Sequence, residues 1–226
     1  MKKILSLILT FLMVVLIAGC GAEKTTDKKT DSKSDKAAED YVYTTVKDEY
    51  ILLTLYKGND KDVVVPQKIN GLPVKTIGSG CFASTEIESV VVLDSVKEIW
   101  DSAFLHCKKL SKITLSKNIT VISAKTFEGC ISLSEIEIPE NVTTIDAYAF
   151  LECESLKTLT IPKAVNNVGT YAFSNSGITE LKFLGDAPNT IGNDIIKKDE
   201  SVVIYHPTGA IGWDNKALEG YTLKTY

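Results

Sequence analysis

The chain has 226 residues, of which 44% are hydrophobic and 24% charged, a composition that fits one or two globular domains. Its net charge of -4 gives no basic excess to neutralise phosphates, so nucleic acid is not an expected partner. Aromatic residues make up only 8% and there are two histidines, His106 and His206, which argues against a broad sugar-stacking surface and limits His-based catalysis or metal binding.

The chain opens MKKILSLILTFLMVVLIAGC. Lys2 and Lys3 precede an apolar run from Ile4 to Ile17 that only Ser6 and Thr10 interrupt. The run is shorter than the ~20 residues a spanning helix needs and fits the apolar region of a secretory signal peptide. It ends in Ile17-Ala18-Gly19-Cys20, which resembles a bacterial lipobox. That resemblance implies diacylglycerol transfer to the Cys20 sulfur and cleavage before Cys20, with 1–19 as the signal peptide. An ordinary signal peptide with an incidental cysteine is the alternative. Two or three acyl chains on Cys20 would tie the protein to a bacterial membrane, where one chain is marginal. The expected address is extracytoplasmic, on the cell surface.

Residues 20–40 follow as the lipidated Cys and a tether. The stretch GAEKTTDKKTDSKSDKAAED has no large apolar residue. A helix polar all round has nothing to bury, so this segment reads as disordered. Residues 41–76 read as an N-terminal cap and entry repeat, with a strand pair, then VVVP and a Gly-Leu-Pro-Val turn.

From there the chain repeats itself. Phe82, Phe104, Phe127, Phe150 and Phe173 recur at intervals of 22, 23, 23 and 23 residues. Apolar residues recur with them. In the central unit they are Ile122, Phe127, Cys130, Leu133, Ile136, Ile138 and Val142, and the next unit matches all seven places. The outer units are one residue shorter after the Phe and lack the Cys, as the atypical end turns of a solenoid often are. Ile136 and Ile138 alternate with Glu137, which predicts a strand with one face inward. Pro139 and Pro162 end their strands by removing a donor. Val142 to Ile145 predicts a second short strand, and the segment through the Phe a turn of 3-10 or α-helix. Equivalent strands should stack in parallel at ~4.8 Å. Five repeats span 77–190 and a C-terminal capping repeat spans 191–226.

The pattern I-x-x-x-A-F-x-x-C-x-x-L-x-x-I-x-I-P resembles the BspA-type leucine-rich repeat of bacterial surface proteins. The resemblance implies a leucine-rich-repeat solenoid, mostly parallel β, displayed outside the cell and binding ligands, including in adhesion. It names no single ligand.

Cys107, Cys130 and Cys153 hold one inward place in successive turns. Packing as small buried hydrophobes is the leading reading. Disulfides remain open, although parallel turns hold Cβ atoms ~4.8 Å apart where a disulfide wants ~3.8 Å. A metal site lacks convergent ligands, and a catalytic Cys lacks an aligned base. Cys81 reads as another small buried residue. No cofactor, metal or catalytic motif stands out.

The outward strand places carry a mixed polar set, and a partner is expected there at Lys112, Thr114, Glu135, Glu137, Thr158 and Thr160. Trp100, Tyr148 and Tyr171 lie before the Phe at non-core places, and Tyr148 should stack on Tyr171. The expected function is a lipoprotein presenting its solenoid to an unknown protein or glycan, without enzymatic activity. The rivals are a solute-binding lipoprotein of a transporter, which needs a pocket closed between two lobes, and an envelope-bound hydrolase.

Overall fold

The computed structural model describes residues 38–196 and 201–226. The expected signal peptide, Cys20 and the tether as far as residue 37 lie outside the described residues. The entry begins with β1 (Tyr41–Val46) and β2 (Tyr50–Tyr56), an antiparallel hairpin that pairs Tyr41 with Tyr56. After β3 (Asp62–Val64) come β4 (Lys68–Ile69) and β5 (Leu72–Ile77), a second hairpin. Its two-residue turn is Asn70-Gly71, with φ of 51° and 82°, the conformation that such a connection demands. Leu72 and Pro73, expected in the turn, already belong to the strand.

Beyond β5 the strands alternate between two sides. The side of the longer strands carries β6 (Ser89–Val91), β8 (Lys112–Thr114), β12 (Thr158–Ile161), β14 (Glu180–Phe183) and β16 (Val203–His206), with β10 (Glu135–Ile136) among them cut to two residues. Between them lie two-residue strands, β7 (Glu98–Ile99), β9 (Val121–Ile122), β11 (Thr144–Ile145), β13 (Asn167–Val168) and β15 (Thr190–Ile191). The final strand, β17 (Thr222–Thr225), pairs with β16. From β6 onward every pairing is parallel, between elements one turn apart. The result is a β-solenoid of about seven turns, each of about 23 residues. Both expected strands of the repeat are present.

The third side, through the Phe, is built from turns. Along the chain, Ala103, Leu105 and Cys107 donate their amides to the carbonyls three residues back. That is the 3-10 bond, but it is made only by alternate residues. The residues between them, Ser102, Phe104 and His106, donate to Ala124, Thr126 and Glu128 of the next turn. The scheme repeats around Phe127, where Lys125, Phe127 and Gly129 donate to Ala147, Ala149 and Leu151. It requires a left-handed residue two places before and two places after each Phe. Ser102 and His106 have φ of 62° and 56°, Lys125 and Gly129 of 59° and 71°, and Tyr148 and Glu152 both 61°. These reversals prevent a continuous helix and point every second amide at the neighbouring turn.

The core is a single column. Phe82, Phe104, Phe127, Phe150 and Phe173 are fully buried. Their rings stack in sequence at centroid distances of 5.0, 5.6, 5.3 and 5.8 Å. Tyr56 extends the stack at the entry, 5.1 Å from Phe82, and Tyr41 packs on both rings. At the other end the buried Ile196 stands 23 residues after Phe173, in the sixth Phe place. Trp213 closes the C-terminal turns. Its ring lies edge-on to Phe183 and flat on His206, and its Nε1 donates to the Gly185 carbonyl at 3.3 Å. Among the described residues no helix is long and apolar enough to cross a membrane.

Removing a ring from mid-column leaves a cavity lined by both neighbours. Phe127→Ala is expected to lower unfolding free energy by about 3–5 kcal/mol, read as a shift of the urea midpoint. A smaller loss is expected for Ile196→Ala, about 2–3 kcal/mol, at the end of the column.

Candidate binding surface

Cys81, Cys107, Cys130 and Cys153 are buried free thiols. The last three do more than fill space. Each donates its Sγ proton to the Phe carbonyl of the preceding turn, Cys107 to Phe82 at 2.9 Å, Cys130 to Phe104 at 3.1 Å and Cys153 to Phe127 at 3.2 Å. In the outer units Thr85 and Ser176 take the Cys place. Their hydroxyls donate to the carbonyls of Phe82 and Phe173, three residues back. The place therefore calls for a small buried donor, and Cys supplies both the size and the proton. Burial pushes the Cys81 thiol up from its ordinary 9.0 to about 12. Its contact with Cys107, then burial, raises Cys130, and burial raises Cys153. The contact between Cys107 and Cys130 lowers Cys107 instead, but its side chain is fully buried, and the three raised thiols are poor nucleophiles. No group of three metal-ligating side chains occurs among the described residues.

The six residues expected to face a partner all lie exposed on the longer-strand side, and the fold brings them together. Lys112, Thr114, Glu135, Glu137 and Thr158 line one open groove of about 460 Å³. Glu137, Thr158 and Thr160 line a second of about 380 Å³. Lys112 and Glu135 are not independent, because their side chains pair across adjacent strands at 2.6 Å. Lys61 and Glu88 pair in the same way at 2.6 Å, and Ser89 donates to Asp62. These exposed pairs contribute at most about 1 kcal/mol each, but they neutralise charge across that part of the face.

The grooves exist because the strand ladder is interrupted. On this side β3, β6, β8 and β10 form one parallel sheet, and β12, β14, β16 and β17 form another. No pairing joins β10 to β12. The ladder between β8 and β10 also ends early, at Ile113–Ile136, without a Thr114–Glu137 step. Ile136, expected inward, is consequently half-buried. The interruption is local. Across the same turns Thr144 still pairs with Asn167, and Phe127 still donates to Ala149. Pro139 and Pro162 occupy the same place in these two consecutive turns. Neither has an amide proton, so the ladder has no donor there. The prolines were legible as strand ends, but the missing steps fall before them, at residues that keep their amides, and β12 still pairs fully with β14. Sequence reasoning also missed Lys117 and Glu140 on the groove walls, and Leu184, which is 45% exposed.

The short-strand side has its own gap, between β7 and β9, where Ser123 donates its hydroxyl to the Ile99 carbonyl at 2.6 Å. Trp100 borders the small groove there and donates Nε1 to Glu98. Tyr148 and Tyr171 stack at 5.6 Å as expected, with the Lys125 ammonium 5.2 Å from the Tyr148 ring. They form a separate patch rather than extending the strand-side grooves.

The family model for the BspA type leucine rich repeat region matches residues 75–202 in six copies. The chain belongs to this family. A leucine rich cell surface protein from Faecalibacterium prausnitzii has the same fold, at 25% identity and a TM-score of 0.60 over 74% of this chain. This BspA-type chain spans about half of that protein, 53% of its length. The T. pallidum Leucine Rich Repeat protein is also similar, at 25% identity and a TM-score of 0.62, covering 76% of this chain and 86% of its own. A search of curated proteins finds no match.

Two outcomes test the account of the thiols in this BspA-type repeat. Alkylation mapped by mass spectrometry should leave Cys81, Cys107, Cys130 and Cys153 unmodified at pH 8 in the folded protein and modify all four in guanidinium. The second concerns pH. A thiol whose folded value lies above its unfolded value stabilises the fold fully below the unfolded value and less as pH rises. Stability should therefore hold up to about pH 9 and fall between 9 and 12 as the unfolded Cys81 ionises. Urea titrations at pH 8 and 10 should show this fall, and Cys81→Ala should reduce it.

Proposed function

We propose that this chain is a bacterial surface lipoprotein whose solenoid is a non-enzymatic interaction module, binding a protein or glycan on its longer-strand side. The observation that carries the reading is the convergence of Lys112, Thr114, Glu135, Glu137, Thr158 and Thr160 on two adjoining grooves. The family supports it, since a relative of the same fold is described as a leucine rich cell surface protein. The lipobox-like Ile17-Ala18-Gly19-Cys20 supports lipid attachment at Cys20, with the membrane as the first partner. Adhesion is the role proposed for the displayed face. Neither rival gains support. A solute-binding lipoprotein would close over its ligand between lobes, whereas these grooves lie open along one side of a stack. A hydrolase would need a nucleophile beside a base, and the thiols are buried against carbonyls.

Two measurements test the proposal. Metabolic labelling with a radioactive fatty acid should label the expressed chain and lose the label in Cys20→Ala. The purified protein should capture a partner from surface extracts, and Lys112→Ala/Glu135→Ala/Glu137→Ala should reduce capture at least tenfold without lowering the thermal midpoint. Capture unchanged by that variant would place binding elsewhere.

A further inference from the structure

The gap between β10 and β12 is a built feature with a chemistry of its own. It presents two facing sheet edges in the middle of an otherwise stacked array. An open edge is a row of backbone donors and acceptors, and an added strand satisfies it. Open edges at the ends of a sheet are commonplace, but these two arise inside one, where the turns on the other sides remain hydrogen-bonded. The two walls also differ in charge. On the β8 side the groove carries two lysines, Lys117 and the Lys112 that pairs with Glu135. On the β12 side the groove carries Glu137 and Glu140 and no basic residue. Neither carboxylate takes part in an ion pair among the described residues. Beside them, Pro162 and the exposed Leu184 form an apolar wall, and Thr158 and Thr160 point their side chains outward from β12.

We propose that the ligand at this site is an extended basic peptide segment of a partner protein, which adds as a strand to the open edge of β12. This rests on the reading of the solenoid as an interaction module and specifies its ligand. The backbone of the peptide pairs with Thr158–Ile161. A lysine or arginine reaches Glu137 and Glu140, and an aliphatic residue on the peptide lies against Leu184 and Pro162. Charge complementarity selects the basic side chain, and the unpaired edge selects the extended backbone. The gap between β7 and β9 is not equivalent, because the Ser123 hydroxyl already occupies the Ile99 carbonyl.

The test uses the purified full chain and a display library of random 12-residue peptides. Enriched sequences should alternate aliphatic residues with lysine or arginine. Bound peptide should slow hydrogen exchange at the amides of residues 135–138 and 158–161 and leave those near Tyr148 and Tyr171 unchanged. Replacing alternate peptide bonds by N-methyl amides should weaken binding about tenfold or more, as should Glu137→Gln/Glu140→Gln in the protein, each removing hydrogen bonds that are charge-assisted or buried on binding. Binding should also weaken with added salt. Enrichment of acidic peptides, or peptide binding that leaves these amides exchanging as before, would overturn the proposal. So would self-association that protects the same amides, since the edge would then belong to a second copy. If surface extracts yield a partner but selected peptides bind elsewhere, the peptide proposal fails and the interaction-module reading stands. If neither extract nor library yields a binder, both fail.

Discussion

Everything in this molecule depends on the hydrogen bonds that each turn makes to the next through the Phe-centred side. A stretch of 23 residues cannot bury enough apolar surface to order itself, so its stability is shared with its neighbours. The strand side and the short-strand side each tolerate a missing step. The Phe-centred side continues without a gap from Phe82, which donates to Ala103, to Phe173, which donates to Ile195. The stacked rings lie directly beneath these bonds, so the same residues that close the ladder also fill the core. The thiols of Cys107, Cys130 and Cys153 add a third tie at the same level by bonding to the Phe carbonyls. Fold, column and cysteine ladder are therefore one construction seen from three chemical groups.

That arrangement frees the strand side for other work. Because the turns stay in register without a complete strand ladder, β10 can leave its sheet after Ile136 at little structural cost to its neighbours. The outcome is a surface whose shape is set by rigid turns on either side and whose edges are chemically unsaturated. A binding site placed on such a face inherits its geometry from the column rather than from loops.

Much of this was legible in the sequence. The Phe spacing gave the turn length, whereas the alternation of Ile136, Glu137 and Ile138 predicted a strand that β10 cuts short at Ile136, and the array runs on past the Cys-lacking unit of Phe173 to Ile196, β16 and β17. The six exposed residues named from their outward places do share one surface. Two things were hidden for physical reasons. Most left-handed places beside the Phe residues are held by residues such as Ser102, His106, Lys125, Tyr148 and Glu152, none of which advertises positive φ as Gly129 does. Tertiary hydrogen bonds impose that conformation against local preference. The ladder gap was hidden because it belongs to a pair of turns rather than to either alone. Pro139 and Pro162 are each ordinary strand ends, and neither reveals that the steps before them go unpaired between β10 and β12. The entry strands were legible, whereas the turn falls at Asn70-Gly71 because Pro73 lies in β5, paired with Lys68, rather than in the turn.

The alternating bond scheme also bears on how such an array can lengthen. Each turn donates the same set of amides around the Phe to its successor, which presents the same carbonyls to accept them. A copied turn would meet matching partners above and below, so whole turns can be duplicated in tandem without a mismatched joint. Single-residue changes do not enjoy this freedom around the Phe, where one extra residue would exchange the inward and outward sets of amides. The shortened units place their missing residue after the Phe and before Ile87 or Ile178, on the stretch leading into the strand. Growth by copying and trimming by one residue thus act on different parts of the same turn.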